Sequence, residues 1–121
     1  MDLIKLTEKI AVRMLTLVGV QGDAKKIEVI IGKPERFADS EDYFCPYKII
    51  GLGKEKIKYA AGIDGIQAIQ LAMKMIGADL YSSKEAKEGF LKWEGGDEGD
   101  LGFINPYLKG HGDALGRELD N

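Results

Sequence analysis

The sequence is poor in the residues from which most reactive or disulfide-bonded sites are built. It has one cysteine, Cys45, and one histidine, His111. A single cysteine cannot form a disulfide within the chain, so we expect a reducing, cytoplasmic setting. A nucleophilic cysteine needs a base beside it, whereas we expect Cys45 to be a small buried residue on an edge strand and His111 to lie in a disordered tail. No Ser-His-Asp set and no carboxylate pair with an obvious base can be assembled, and we predict neither a catalytic residue nor a cofactor.

The chain also lacks an excess of basic residues and any long apolar run. It has 17 basic against 20 acidic residues, a formal net charge of −3. Proteins that neutralise nucleic-acid phosphates usually carry more Lys and Arg than Asp and Glu, so we do not expect nucleic acid as a partner. No window of about 18 residues is apolar without charge, and the N-terminus has no basic segment followed by an apolar one. We therefore expect no membrane span and no secretory signal.

Several lysines are the exception to this acidic balance. Lys54, Lys56 and Lys58 alternate along one segment, and Lys25 and Lys26 lie in another. They could form a basic patch, but alternating lysines on an outward strand face also promote solubility and block edge pairing. We favour the second interpretation.

What is present indicates one folded domain. The chain has 121 residues, of which 45% are hydrophobic and 31% charged, values typical of a globular protein. Its sixteen glycines follow no period and mark turns. We predict a single α+β domain over residues 1–105 and a polar, glycine-rich C-terminal tail over residues 106–121.

Alternating patterns predict four strands, at about residues 6–18, 25–32, 43–52 and 56–63. The first has an apolar side and a mixed side, and the second places Ile27, Val29 and Ile31 on one face. Pro46 cannot donate a ladder hydrogen bond, so we place the third strand at an edge or start it near Tyr47. In the fourth, the set Ile57, Tyr59, Ala61 and Ile63 opposes lysines that should face water.

A helix follows the fourth predicted strand. Asp64 and Gln67 have the spacing of a capping box, in which the Asp64 carboxylate accepts the Gln67 backbone N–H. Ile66, Ile69, Met73 and Ile76 recur at helical spacing, widened by Leu71, Ala72 and Met75, so we expect a largely buried helix that ends near Gly77. The predicted fold is a four-stranded antiparallel meander with one long C-terminal helix on one face, because no helix separates the strands to allow parallel crossovers.

The C-terminal third carries the acidic charge. Residues 84–121 hold nine acidic and five basic groups, a net charge of −4, whereas the first 83 residues have a net charge of +1. A glycine-rich loop containing four carboxylates lies there between two aromatic residues. Its spacing does not match a calcium loop, so we predict no metal site. An aromatic residue among acids can bind a basic protein, and we predict a partner-binding surface made of Trp93, Glu94, Asp97, Glu98, Asp100 and Phe103.

Three stretches carry a family resemblance. They are Cys45-Pro46-Tyr47-Lys48-Ile49, Gly62-Ile63-Asp64-Gly65-Ile66-Gln67-Ala68 as far as Gly77, and Trp93-Glu94-Gly95-Gly96-Asp97 with Leu101-Gly102-Phe103. Over roughly the first 105 residues the chain resembles a family of small bacterial domains of unknown function. In size and acidity it is also similar in character to immunity proteins of toxin systems. Neither resemblance assigns a role to any residue.

We therefore expect a non-enzymatic binding protein of the bacterial cytosol and, more narrowly, an immunity protein that masks a basic toxin through its acidic surface. The alternative is a small-ligand-binding or enzymatic domain that uses the sheet–helix cleft, with Tyr43, Tyr47 and Tyr59 in its walls. A third possibility is a module that dimerises through an edge strand. The sequence does not fix the oligomeric state.

Overall fold

The computed structural model describes residues 4–108. They form an antiparallel sheet and two helices, which confirms the predicted α+β class. The predicted meander of four strands with one long helix is matched only in part, because the described chain contains six strands and a second, short helix. The helices are α1 (Gly65–Tyr81) and α2 (Lys84–Lys87). The strands are β1 (Lys9–Val18), β2 (Ala24–Gly32), β3 (Glu35–Arg36), β4 (Tyr43–Ile50), β5 (Lys58–Gly62) and β6 (Leu91–Lys92).

The four longer strands are neighbours in chain order, and the two short ones extend the sheet. β1 pairs with β2, β2 with β4, and β4 with β5, all antiparallel. β3 pairs with β4 on the same side of β4 as β2. β6 pairs with Thr16 and Leu17 of β1 after both helices, so α1 is not the last element of the fold. A strand of two residues shows no period, which is why neither short strand is visible in the sequence pattern.

Pro46 lies in an interior strand, so the prediction of an edge strand or of a late start near Tyr47 is wrong. β4 has β2 and β3 on one side and β5 on the other. The register of β4 shifts by one residue across Pro46, because Tyr47 pairs with Ile31 while Phe44 pairs with Glu35. The ladder is interrupted at this point between β2 and β3. A residue without an N–H is tolerated where the partner strand breaks.

Helix α1 begins as predicted and ends later. Asp64 is the N-cap, and its Oδ1 accepts the Gln67 backbone N–H at 2.8 Å. The Gln67 side chain accepts the N–H of Ile63, one residue before the cap, at 2.8 Å. The predicted stop at Gly77 is wrong, since the helix continues to Tyr81. A Cβ on Gly77 would clash with the carbonyl oxygen of Ile104, so this glycine permits close packing of the segment that follows β6.

The side of α1 that faces the sheet consists mainly of small residues. Ile66 is 70% exposed and Met73 is 43% exposed, so the prediction that they belong to a largely buried helix is wrong. A Cβ on Gly62 of β5 would lie 2.6 Å from the Ala68 nitrogen, which shows how closely the two backbones approach. Only small side chains fit at such a contact. The buried residues of α1 are Ala68, Ala72, Ile76, Gly77 and Leu80.

In two strands, the face that packs against the core is not the face with more apolar residues. In β5, Ala60 is buried, whereas Tyr59 is 43% and Ile63, just beyond the strand, is 72% exposed. In β1, Leu15 is buried on the mixed side. On its apolar side Ile10, Val12 and Met14 are each 46% exposed. The prediction for β2 is confirmed, because Ile27, Val29 and Ile31 all belong to the core cluster.

Candidate functional site

The predicted partner-binding residues lie in one segment, residues 93–103, which we call the acidic loop. It starts directly after β6, which pairs with β1, and it ends at Leu101 and Phe103, both of which are buried. The Tyr81 hydroxyl accepts the Leu101 N–H at 2.8 Å and donates to the Phe103 carbonyl at 3.1 Å. Burial is the main cause that raises the pKa of this phenol. The loop is therefore attached to the sheet at one end and to α1 at the other.

Arg13 of β1 links the two aromatic residues of the acidic loop. Its guanidinium carbon lies 4.3 Å from the centroid of the Trp93 ring and 4.9 Å from that of Phe103, within cation–π range. Its Nη1 donates to the Gly102 carbonyl oxygen at 2.6 Å. A Cβ on Gly102 would clash with this guanidinium and lie 2.9 Å from the Trp93 ring. Arg13 is not among the predicted site residues, although a cation in the middle of the apolar strand β1 was a usable signal.

The four carboxylates of the acidic loop all face solvent. Glu94, Asp97, Glu98 and Asp100 are exposed, and none of them forms an ion pair within residues 4–108. Asp100 accepts the Gly102 backbone N–H at 2.8 Å, which helps to fix the turn before Phe103. The loop thus presents four carboxylates that the described chain does not neutralise.

Trp93 and Phe103 are less available than predicted. Phe103 is only 8% exposed and Trp93 is half-buried against the core. Both rings contact Arg13, so their main role in the structure is to hold the loop. The part of Phe103 that remains accessible lines a groove.

That groove adjoins the acidic loop and is mainly apolar, although Gln67, Gln70 and Lys74 also line it. It has a volume of about 430 Å³ and runs along the outer side of α1. Leu71 and Met73, which are partly exposed because the small residues of α1 occupy the core, form one wall. Phe103 and Ile104 form the other wall. Apolar surface of this kind on a soluble protein often marks an interaction site.

A second cavity opens on the other flank of α1 and has polar walls. Its volume is about 290 Å³, and Tyr47, Lys58 and Asp79 meet in it. The Tyr47 hydroxyl donates to Asp79 Oδ2 at 2.7 Å, and Lys58 Nζ lies 3.1 Å from the same oxygen. Burial, followed by the hydrogen bond to Asp79 and the Asp79 charge, raises the pKa of Tyr47 well above its usual range. The remaining lining residues are Ile49, Leu52, Lys54, Lys56, Ser82 and Ser83.

The tyrosines predicted for the sheet–helix cleft, and the five lysines considered as a patch, do not each lie together in the structure. Of the three tyrosines, only Tyr47 lines this cavity, because Tyr59 packs on the opposite face of the sheet with Phe37 and Phe44. Lys54, Lys56 and Lys58 converge there, whereas Lys25 donates to the Gly51 carbonyl at 3.3 Å and Lys26 is exposed elsewhere.

Cys45 is buried as predicted, but in an interior strand rather than at an edge. Desolvation raises the pKa of its thiol to about 11, which disfavours the reactive thiolate at neutral pH. His111 lies outside the described residues, as does most of the predicted tail. Within residues 4–108, no cluster of three or more His, Cys, Asp or Glu side chains could hold a metal ion. In the same range, neither helix combines the length and apolar character that a bilayer crossing requires.

Comparison with known proteins identifies the family and nothing narrower. No curated protein and no solved structure matches the chain. A family model described as a domain of unknown function (DUF6968) matches residues 11–105. The match covers most of the sequence, including every strand except the first residues of β1, and the protein therefore belongs to the DUF6968 family.

Proposed function

We propose that this protein is a non-enzymatic binding protein of the bacterial cytosol, an immunity-like protein that neutralises a basic toxin domain. The observation that carries the proposal is a set of four exposed carboxylates, on a loop attached at both ends, that form no ion pair with any residue from 4 to 108. Their arrangement fits an external cationic partner.

The charge of the acidic loop suits the first stage of binding. Charges at the rim of an interface steer diffusional encounter and raise the association rate, and added salt weakens this effect. Exposed ion pairs contribute little to stability within one chain. The carboxylates of Glu94 and Asp97, both exposed, are thus expected to act mainly on the rate at which the partner arrives.

The groove beside the loop suits the second stage. Specific interfaces combine an apolar centre with a polar rim. The groove supplies Leu71, Met73 and Ile104 as the apolar centre, and the acidic loop supplies the rim. The apolar contact that we predicted for Trp93 and Phe103 is thereby assigned mainly to residues of α1 and to Ile104. The expected partner presents an apolar patch surrounded by Lys and Arg.

A binding measurement against the product of the neighbouring open reading frame tests the proposal. The full chain and its variant Glu94→Gln/Asp97→Asn are compared by surface plasmon resonance at several salt concentrations. Asp39→Asn/Glu41→Gln is the matched control, since it removes the same charge from exposed positions outside the loop. We expect the loop variant to lose about tenfold in association rate and part of its salt dependence, with the control unchanged.

Two results would remove the proposal. One is the absence of binding together with a failure to protect cells from that product. The other is binding whose rate responds equally to the loop variant and to the control, because the acidic loop would then have no special role.

A further inference from the structure

We propose that the cavity around Tyr47 binds a small molecule that carries a phosphate monoester. This site shares no residue with the acidic loop or the apolar groove, so it is independent of the function proposed above. The inference rests on the charge of the cavity, on the backbone that places its lysines, and on the apolar part of its wall.

The cavity is positive in a protein that is negative overall. Three ammonium groups, those of Lys54, Lys56 and Lys58, line it together with a single carboxylate, that of Asp79. These side chains give the cavity a net charge of +2, while the whole chain has a net charge of −3. A phosphate monoester carries about −1.5 to −2 at neutral pH. The charges of the site and of the ligand are therefore opposite in sign and similar in size.

The backbone brings the three lysines to one wall. Gly51 and Gly53 have φ angles of +106° and +124°, conformations that other residues rarely adopt, and they bend the chain between β4 and β5. The Glu55 carboxylate accepts the Gly51 N–H at 3.1 Å and so holds this turn. The alternate residues Lys54, Lys56 and Lys58 then face the same cavity.

Asp79 fixes one of these lysines and the tyrosine. Its Oδ2 accepts from Tyr47 at 2.7 Å and from Lys58 at 3.1 Å. The buried phenol and the partly exposed lysine are thereby held in defined positions without a ligand. The carboxylate also neutralises part of the local positive charge, which lets three lysines share one cavity. We expect the phosphate to lie against the Lys54–Lys56 side, away from Asp79.

The rest of the wall suits a small organic body. Ile49 and Leu52 are half-buried and provide apolar contact, and the Ser82 hydroxyl oxygen, which donates to the Asp79 carbonyl, can accept a hydrogen bond from a ligand hydroxyl. Ligand sites usually combine an apolar lining with a few polar groups and have volumes of about 300–1,000 Å³. The volume of about 290 Å³ lies at the lower end and favours a small phosphate ester over a dinucleotide.

Titration of the full chain with phenyl phosphate, followed by amide chemical shifts at constant ionic strength, tests this inference. Benzoate serves as the comparison ligand, because it has a similar body and a single negative charge. We expect saturable shifts at Lys54, Lys58, Asp79 and Ser83, and an affinity for phenyl phosphate about tenfold above that for benzoate. The variant Lys54→Met/Lys56→Met should lose at least about tenfold in affinity.

The controls separate this site from general attraction to positive charge. Lys54 and Lys56 are exposed, so their replacement leaves the core intact. Lys5→Met/Lys33→Met removes the same charge from exposed positions outside the cavity and should leave the affinity unchanged. Equal losses in the two double variants, equal affinity for the two ligands, or the absence of saturable shifts would each overturn the proposal.

Discussion

Replacing Arg13 by methionine tests whether one guanidinium group holds the acidic loop against the sheet. The guanidinium donates to the Gly102 carbonyl and stacks on Trp93 and Phe103. A hydrogen bond from a charged donor contributes about 1.5–3 kcal/mol net, and a partly exposed cation–π contact about 0.5–1 kcal/mol. Methionine keeps the aliphatic packing of the stem. These contributions overlap, so we expect the free energy of unfolding to fall by about 2–3 kcal/mol.

Urea denaturation followed by far-ultraviolet circular dichroism measures this change. For a domain of this size, the expected loss corresponds to a decrease of roughly 8–12 °C in Tm. Trp93 is the only tryptophan in the chain, so its fluorescence reports separately on the loop and should shift to longer wavelength as the ring becomes more exposed. Lys26→Met is the control, because it removes the same charge from an exposed position. A loss within about 0.5 kcal/mol of this control would refute the anchoring role of Arg13.

Three further predictions concern the helix and the core. Gly77→Ala should destabilise the fold by about 2 kcal/mol or more, because its Cβ would clash with the Ile104 carbonyl oxygen. Gly65→Ala, whose Cβ would meet nothing closer than 3.6 Å, should be neutral or slightly stabilising. Thermal denaturation of both variants measures the difference, and equal effects would contradict close packing at Gly77. Asp64→Ala should cost about 1 kcal/mol by removing the N-cap, while a change below about 0.3 kcal/mol in urea denaturation would show that the cap contributes little. Burial raises the pKa of the Cys45 thiol to about 11 from an ordinary value of 9.0, so between these pH values the folded chain retains a proton that the unfolded chain loses. Stability should therefore fall as pH rises across this interval. The urea midpoint should decline less steeply with pH in Cys45→Ala than in the wild type, and parallel curves would exclude this contribution.

The strand meander could be predicted because its local signals agree. In β2 the alternation of Ile27, Val29 and Ile31 coincides with the core face, and at Asp64 the capping residue coincides with the start of the helix. Local pattern and tertiary packing require the same residue type at these positions. Neither signal depends on knowing which elements pack together.

The faces of α1 and β5 could not be predicted because packing distance decides them. Hydrophobicity alone assigns Ile66 to the core and says little about Ala68. In the fold, Ala68 and Ala60 are buried because the helix lies so close to the strand that a larger side chain has no room. This contact brings together residues from different elements, and no single segment contains the information.

The acidic loop could be singled out from the sequence, but the contacts that hold it could not. The density of acidic residues and the lone tryptophan identify residues 93–103, yet Arg13 is about eighty residues away along the chain and shows its role only when β1 and the loop meet. The cavity around Tyr47 was less visible still. Its lysines have the alternating pattern of a solvated strand face. The pattern of the helix that contains Asp79 gives no sign that this residue accepts a hydrogen bond from Tyr47.

The attachment of the acidic loop at both ends affects how much entropy binding would cost. When a partner orders a free glycine-rich segment, the loss of conformational entropy has a free-energy cost of about 1–2 kcal/mol per residue for the backbone alone. Here the β6 pairing, the Tyr81 hydroxyl and the Arg13 stack have already ordered much of the segment during folding. A partner would meet a preorganised surface, so more of its contact energy would remain as affinity.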